Sequence, residues 1–230
     1  MNDIFASPLF GVGLSFAVFL FGTAVYRRVR SPFANPLLIA IVLIVALLAV
    51  CKIPLDSFNA GGKMISFFLS PATVILAVPL YRRIDLLKRH AVPIILGVVL
   101  GSVVSMLSIF LLCDLFHLDR SLTLSLVPKS VTAPIGIEIS RSLGAVPAIT
   151  IAAIVLTGVT GAVIAPSVMR LFRIHDEVAQ GIAIGTAAHA VGTSKAVEMG
   201  ETIGAMSGLA IGIAGITTVF LAPVFARIFH

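Results

Sequence analysis

Two short polar stretches interrupt an otherwise strongly apolar chain, and they contain the residues best suited to hold a charged ligand. The first covers residues 126–138 and the second residues 185–198. Each has one lysine, Lys129 or Lys195, among several hydroxyl side chains. The candidate ligand-binding residues are Lys129, Ser130, Thr132, Thr186, His189, Thr193, Ser194 and Lys195. Two cations among hydroxyl donors predict a site for a small organic anion with a carboxylate and a neighbouring hydroxyl or keto oxygen.

Each of these residues also has a purely structural interpretation. Lys195 and Glu198 are three residues apart, so they could neutralise each other on one helix face. Lys129 could extend to the membrane interface, and the hydroxyls could bond to backbone carbonyls of their own helices. His189 fits either a buried structural histidine or a ligand or proton relay. Glu138 and Glu198 fit either lysine partners or proton carriers.

Prolines and glycines within the two stretches predict interrupted helices. Pro128 and Pro134 lie in the first stretch, and Gly185 and Gly192 lie in the second. A break leaves backbone N–H groups without helical partners, and in lipid those groups need protein, water or a ligand. Because a helix N-terminus carries partial positive charge, such breaks favour an anion.

The composition predicts an all-α, polytopic membrane protein. Hydrophobic residues make up 59% of the 230 residues and charged residues 11%, with a mean hydropathy of +1.14. These values exclude an ordinary soluble domain, and the segments lack the alternation of a membrane β-barrel. The net charge of +6 comes from short basic clusters beside apolar runs, so it indicates membrane orientation and not nucleic-acid binding. Cys51 and Cys113 lack metal-ligand spacing, and we expect neither a metal nor a cofactor.

Six apolar segments predict full membrane crossings. They cover residues 8–25, 35–51, 64–80, 91–113, 145–172 and 204–225. Polar loops are predicted at residues 52–63, 81–90, 114–120 and 173–180. Asn35 and Pro36 form a helix start. Residues 121–144 and 181–200 are too polar for ordinary lipid-facing crossings.

The basic residues predict the orientation of the chain. A basic cluster at residues 27–30 follows the first crossing, which places the N-terminus outside. If residues 121–144 crossed fully, Arg170 and Arg173 would lie outside, against the positive-inside rule. A re-entrant hairpin, or a helix broken at mid-depth, places both arginines inside. The pattern therefore favours six full crossings with both termini outside.

An internal repeat favours the same architecture. The interval from Glu138 to Gly144 equals the interval from Glu198 to Gly204. The two repeat units are approximately residues 121–172 and 181–229. Each combines a polar break with one crossing, so successive copies must be inverted, as in many secondary transporters. We expect one integral membrane domain over residues 1–230.

Two further patterns bear on the functional class. The sequence contains no Gly-x-Ser-x-Gly, no His-Glu-x-x-His and no Gly-Lys-Ser/Thr phosphate loop, so we do not expect an enzyme. Glycines four residues apart, at Gly97 and Gly101 and again at Gly181 and Gly185, are compatible with close helix contacts and with a homodimer.

Four segments together resemble the LrgB (CidB) family over nearly the whole chain. They are Asn35-Pro-Leu-Leu38, Leu69-Ser-Pro-Ala-Thr-Val74 with Ala77-Val-Pro-Leu-Tyr81, Pro128-Lys-Ser-Val-Thr-Ala-Pro134, and Gly185-Thr-Ala-Ala-His-Ala-Val-Gly-Thr-Ser-Lys-Ala-Val-Glu198. The two long motifs give the resemblance its specificity. Ala188 stands where the family commonly has serine, so no functional hydroxyl is expected there.

The resemblance implies a bacterial plasma (inner) membrane protein and two alternative functions. Bacterial members are named antiholin-like or holin-like factors that influence murein hydrolase activity and autolysis, together with a small LrgA-type membrane partner. A related plastid protein is a glycolate/glycerate translocator, and bacterial pairs are linked to pyruvate movement. The residues favour a secondary carrier for glycolate, glycerate, pyruvate or lactate, coupled to H⁺ or Na⁺. The alternative is an interaction protein that modulates lysis.

Overall fold

The computed structural model describes residues 7–29, 36–68, 71, 81 and 84–229. Within these residues the chain forms α-helices joined by turns and contains no strand, which confirms the all-α class. The helices are α1 (Pro8–Val29), α2 (Pro36–Val50), α3 (Leu55–Phe67), α4 (Ile84–Leu115), α5 (Arg120–Leu126), α6 (Ala133–Ser142), α7 (Pro147–Leu171), α8 (Glu177–Met199) and α9 (Glu201–Ile228).

Four of the described helices have a stretch long and apolar enough to cross a membrane. They are α1, the part of α4 from Ala91 to Leu115, α7 and α9. Large apolar side chains such as Leu156 and Phe220 remain 64% and 72% exposed on them. Water would penalise such faces, whereas hydrocarbon would not. The protein is therefore a membrane protein with transmembrane helices.

The number of crossings stays a prediction. Helix α2 is apolar but has 15 residues, or about 22 Å at 1.5 Å per residue, which is short of a hydrocarbon core of about 30 Å. The third apolar segment, 64–80, contributes residues 64–67 to α3, and the rest of it lies almost entirely outside the described residues. Asn35, the expected helix cap, also lies outside them.

Three of the predicted loops are wrong in whole or in part. The loop predicted at 173–180 ends at Asp176, because α8 begins at Glu177. Residues 52–63 mostly belong to α3, and α4 begins at Ile84, inside the predicted loop 81–90. Lysine and arginine are good helix formers, so a basic segment next to a crossing need not be a loop. Gly61 and Gly62, which lie within the predicted loop 52–63, are helical in α3. The predicted loop at 114–120 agrees with the gap between Leu115 and Arg120.

The first compact unit, Met1–Ile75, contains α1, α2 and α3. Helix α1 packs against both of the others. A Cβ placed on Gly11 would lie 2.5 Å from the Phe58 carbonyl oxygen and 3.1 Å from the Gly61 Cα. The absent side chains let α1 and α3 approach backbone to backbone, as small residues do in membrane helix pairs.

The second compact unit, Leu76–His230, contains α4 to α9 and both polar stretches. Helix α9 packs along α8 and against α4, while α7 packs against α6 and α8. One core cluster joins α4, α8 and α9 through Val98, Ile182 and Met206. The unit contains both predicted repeat units, 121–172 and 181–229. Whether residues 1–230 act as one domain stays a prediction.

Four helix ends in the described residues have the same C-cap. Lys52, His117, Gly144 and Arg173 each adopt a positive φ, between 51° and 67°. At each of them the next amide N–H donates to a carbonyl five residues back, as in the 2.9 Å bond from Leu118 N–H to the Cys113 carbonyl oxygen. These Schellman-type caps satisfy carbonyls that would otherwise lack partners.

Candidate functional site

The first polar stretch folds as a hairpin of two short helices. Helix α5 ends at Leu126 and α6 begins at Ala133. The turn between them contains Pro128, and Pro134 lies in the first turn of α6. A Cβ on Gly136 would lie 3.5 Å from the Pro128 carbonyl oxygen, so α6 folds back beside the turn. We call residues 120–142 the first hairpin and residues 127–132 its tip.

A buried hydroxyl network holds the two arms of the first hairpin to α7. The Thr150 hydroxyl lies 2.8 Å from the Ser125 carbonyl oxygen and 3.0 Å from the Ser140 hydroxyl. The Ser125 hydroxyl accepts from the Val146 amide at 2.9 Å. Thr150, Ser125 and Ser140 are all fully buried. Because a shift of the hairpin along α7 would break these buried bonds between the two elements, the network favours one position of the tip.

The second polar stretch also reverses direction, and it does so at His189. This residue has φ 41° and ψ −140° inside α8, while its neighbours on both sides are helical. A Cβ on Gly192 would lie 3.1 Å from Ile184 Cγ2 and 3.3 Å from the Ile184 carbonyl oxygen. Eight residues of continuous helix would span about 12 Å, so the two halves of α8 must fold back on each other. We call residues 177–199 the second hairpin, with residues 188–191 as its tip.

The predicted break positions Gly185 and Gly192 are therefore corrected, because both are helical and the reversal lies between them. Their missing side chains serve packing instead. A Cβ on Gly185 would collide with the Ser207 carbonyl oxygen of α9, and one on Gly192 would lie 2.5 Å from the Ala188 Cβ. Glycine in a polar membrane stretch thus marks close backbone contact here, not the turn itself.

The second tip and helix α6 of the first hairpin both contact α7 near its middle. A Cβ on Gly158 would lie 2.6 Å from His189 Cε1, so the imidazole rests on the bare backbone of α7. The His189 Nε2–H donates to the Ile154 carbonyl oxygen at 2.8 Å. Ile154 also packs over Gly136 of the first hairpin.

Lys129 projects from the first tip to a pair of serines. Its Nζ donates to the Ser105 hydroxyl at 3.2 Å and to the Ser130 hydroxyl at 3.1 Å. The two hydroxyls are 3.2 Å apart. Ser105 comes from α4, and sequence reasoning missed it. The serines at 102, 105 and 108, three residues apart in this apolar crossing, are the signal that could have found it. Among the described residues, no carboxylate forms an ion pair with Lys129.

We call residues 177–187 the first arm of the second hairpin. A cavity of about 670 Å³ lies between α4 and this arm. Lys129, Ser130 and Ser105 line its polar end, and Thr186 lines its wall. Most of the remaining lining is apolar or glycine. Small-molecule sites commonly have this volume and this character, with a few polar groups in an apolar enclosure.

The other predicted ligand residues are not among those that line this cavity. Thr132 is buried at the N-terminus of α6. The Thr193 hydroxyl lies 2.7 Å from the Ser207 hydroxyl and 3.0 Å from the His189 carbonyl oxygen. Ser194 donates to the Ala190 carbonyl oxygen at 3.3 Å. These contacts agree with the structural interpretation of the hydroxyls.

Three charged side chains of the two stretches, those of Glu138, Lys195 and Glu198, form local ion pairs. Lys195 Nζ lies 2.8 Å from Glu198 Oε2. Glu138 pairs with Arg141 at 2.7 Å, not with a lysine, and both side chains are largely exposed. The cavity therefore contains Lys129 but not Lys195. A role for Lys195 in anion binding stays a prediction, as does proton transfer by Glu138 or Glu198.

Comparison with known proteins agrees with the motifs. Residues 15–228 match the LrgB-like family. The chain is 41% identical over 210 residues to the uncharacterized protein YwbG of Bacillus subtilis (strain 168), covering 91% of this chain and 93% of that protein. It is 36% identical over 220 residues to the antiholin-like protein LrgB of Bacillus cereus (strain B4264), covering 95% and 96%. No solved structure matches it. By the extent of these matches, the chain belongs to the LrgB-like family of membrane proteins.

Proposed function

We propose that this protein is a secondary carrier for small 2-hydroxy and 2-oxo monocarboxylates, the class of glycolate, glycerate, pyruvate and lactate. The observation that supports the proposal is the Lys129 ammonium at the end of the cavity, bonded only to hydroxyls among the described residues. A cation at membrane depth is costly unless it is paired. A carboxylate that enters the cavity would supply the missing charge.

The two serines account for the second oxygen of the substrate class. The hydroxyls of Ser105 and Ser130 are 3.2 Å apart and lie 3.2 Å and 3.1 Å from the ammonium, so the three groups form a triangle. A hydroxyl can donate to a keto oxygen or accept from a hydroxyl group. An oxygen on the carbon next to the carboxylate would reach these hydroxyls while the carboxylate contacts Lys129. An acid without that oxygen would leave them unused.

The proposal places the carrier in the plasma (inner) membrane of a bacterium and couples transport to H⁺ or Na⁺. The test is uptake of labelled pyruvate and glycolate into proteoliposomes under an imposed H⁺ gradient and, separately, an imposed Na⁺ gradient. We expect saturable uptake that one of the two gradients accelerates. Reconstitution with and without an LrgA-type partner shows whether the chain acts alone. No uptake under either condition would refute the proposal.

A second candidate function is modulation of murein hydrolase activity and autolysis together with an LrgA-type partner. The supporting observation is that relatives such as LrgB of Bacillus cereus are named antiholin-like. This function needs a surface for assembly and has no evident need for the cavity lysine. A lysis phenotype that survives replacement of Lys129 would favour it over the carrier.

A further inference from the structure

The direction of the cavity can be read from the contacts between its two walls. A Cβ on Gly97 would lie 3.8 Å from Ile182 Cγ2, and one on Gly101 would lie 3.0 Å from Thr186 Cγ2. Both contacts keep the same register, so α4 runs parallel to the first arm of the second hairpin. Ser105, one helical turn beyond Gly101, is thus level with the hairpin tip at residues 188–191.

The cavity extends from one face of the membrane-spanning helices to about their middle. Its lining on α4 begins at Pro93 and ends at Ser105, a distance of about 18 Å along the helix axis. The apolar stretch of α4 is Ala91–Leu115, so Pro93 lies near one end of it and Ser105 near its centre. On the opposite wall the lining begins at Asp176, the helix cap in the loop before α8.

Beyond Ser105 the same helices are tightly packed. Met106 and Phe110 of α4 are buried in a cluster that includes Val131 of the first tip and Ala222 of α9. The Phe110 ring stacks on Phe225 and Phe229, with ring centroids 6.1 Å and 5.1 Å away. Within the second unit, the cavity is therefore closed on the far side of Lys129 by a filled core.

We infer that this cavity is the route by which an anion reaches Lys129 from the membrane face that carries residues 172–176. The inference rests on the proposed function and adds the path and its side. Gly97 and Gly101 form one wall of the route, and Ala183 and Ala187 form the other. Arg170 and Arg173 lie at this face, so the positive-inside rule assigns it to the cytoplasm. The structure then represents the state open to the cytoplasm, with the exit to the other face closed.

The test uses single cysteines in a chain with Cys51→Ala and Cys113→Ala. Ala183→Cys and Ala187→Cys line the route, and His175→Cys marks its face. Gly212→Cys on α9 is the matched control. The first arm and α9 keep one register through the Gly181–Met206 and Gly185–Ala210 contacts, which puts Gly212 level with Ala187. A Cβ on Gly212 would have no neighbour within 4 Å, so it points out of the chain.

A negatively charged, membrane-impermeant methanethiosulfonate is added to vesicles of each orientation. We expect both route cysteines to react from the same side as His175→Cys. They should react at least about tenfold faster than Gly212→Cys, because the reactive thiolate forms in a wet cavity but not in hydrocarbon. Gly97→Cys gives an independent measurement on α4, where the added Cβ makes an ordinary contact.

The outcomes separate this inference from the proposed function. Reaction of Ala187→Cys only from the opposite side, or no reaction of any route cysteine while His175→Cys reacts, overturns the inference. Slower reaction of Ala187→Cys in saturating pyruvate supports both proposals. If the route cysteines react from the same side as His175→Cys but pyruvate does not slow them, the result supports the route and counts against a monocarboxylate as the transported anion.

Discussion

At the scale of single residues, the two lysines differ in what surrounds them. Lys129 donates to two hydroxyls inside the cavity, whereas Lys195 contacts Glu198 on its own helix. The i, i+3 spacing of Lys195 and Glu198 in the sequence predicted an ion pair, and the two side chains form it in the structure. The partner of Lys129, Ser105, was not identified, although serines recur at 102, 105 and 108 in α4. Their spacing marks one face of that helix but does not show that Lys129 lies beside it.

This difference predicts unequal effects of removing the two charges. Lys129→Gln should weaken pyruvate binding about 10- to 150-fold, the equivalent of losing a hydrogen bond to a charged group, about 1.5–3 kcal/mol. Lys195→Gln should change binding much less, because its charge is locally neutralised. The measurement is the half-saturation concentration for uptake in proteoliposomes. If Lys195→Gln weakens pyruvate binding as much as Lys129→Gln does, Lys195 also contributes to the binding site.

Ser105 should discriminate acids by their second oxygen. Ser105→Ala removes one hydroxyl beside the ammonium, so we expect pyruvate and glycolate to bind about 2- to 12-fold more weakly, the usual value of a neutral hydrogen bond. Propionate, which lacks the second oxygen, should bind equally well to both forms. Competition against labelled pyruvate measures this. Ser108→Ala is the control, since the Ser108 hydroxyl donates to the Ser105 carbonyl oxygen of its own helix at 2.7 Å.

At the scale of elements, the turn at His189 depends on a glycine in α7. The positive φ of a non-glycine residue is strained and persists only where the surroundings hold it. A methyl group at Gly158 would lie 2.6 Å from His189 Cε1 and 2.9 Å from its Nε2. Gly158→Ala should therefore displace the imidazole and lower stability by about 1–3 kcal/mol, as overpacking does. Thermal unfolding in detergent measures the loss.

Gly212→Ala is the control for this element, because the new methyl group meets nothing within 4 Å. It should leave the midpoint unchanged or raise it slightly, since alanine favours helix over glycine. If Gly158→Ala unfolds at the same temperature as the wild type, His189 is not held by the bare backbone of α7.

The position of the first hairpin should depend on the Thr150 hydroxyl. Thr150→Val keeps the shape of the side chain but leaves the buried Ser125 carbonyl and the Ser140 hydroxyl without this partner. An unsatisfied buried group costs about 1–3 kcal/mol. We expect a lower unfolding midpoint and weaker pyruvate binding, because the tip that carries Lys129 shifts. Thr150→Ser keeps the hydroxyl and should show the unfolding midpoint and pyruvate binding of the wild type. If it behaves like Thr150→Val instead, the loss comes from packing of the threonine methyl group and not from the hydroxyl.

Sequence patterns predicted elements better than their contacts. Long apolar runs placed α1, α4, α7 and α9, because burial in lipid demands length and composition above all. Loops and helix breaks were predicted less successfully at segments that contain glycine. Gly61, Gly185 and Gly192 are helical and serve close packing. A sequence shows that a side chain is missing but not which neighbour fills the space.

At the scale of the whole molecule, the directions of the helices that follow the two hairpins bear on the predicted inverted repeat. Each hairpin precedes a long helix, α7 or α9. The first arm of the second hairpin runs parallel to α9, by the Gly181–Met206 and Gly185–Ala210 contacts. The same arm runs antiparallel to α7, because Gly161 meets Ala188 while Ala165 and Met169 cluster with Ile184. Helices α7 and α9 therefore point in opposite directions, as inverted units require.

If each hairpin returns to the side it entered from, the two long helices must begin on opposite faces of the membrane. Ser142→Cys, before α7, should react with an impermeant thiol reagent from the outside. Gly200→Cys, before α9, should react from the cytoplasmic side, where His175→Cys also reacts. The Gly200 backbone is extended at φ 171°, so a cysteine fits there without strain. Reaction of both positions from one side would mean that a hairpin crosses the membrane fully, and the two units would then not be inverted copies.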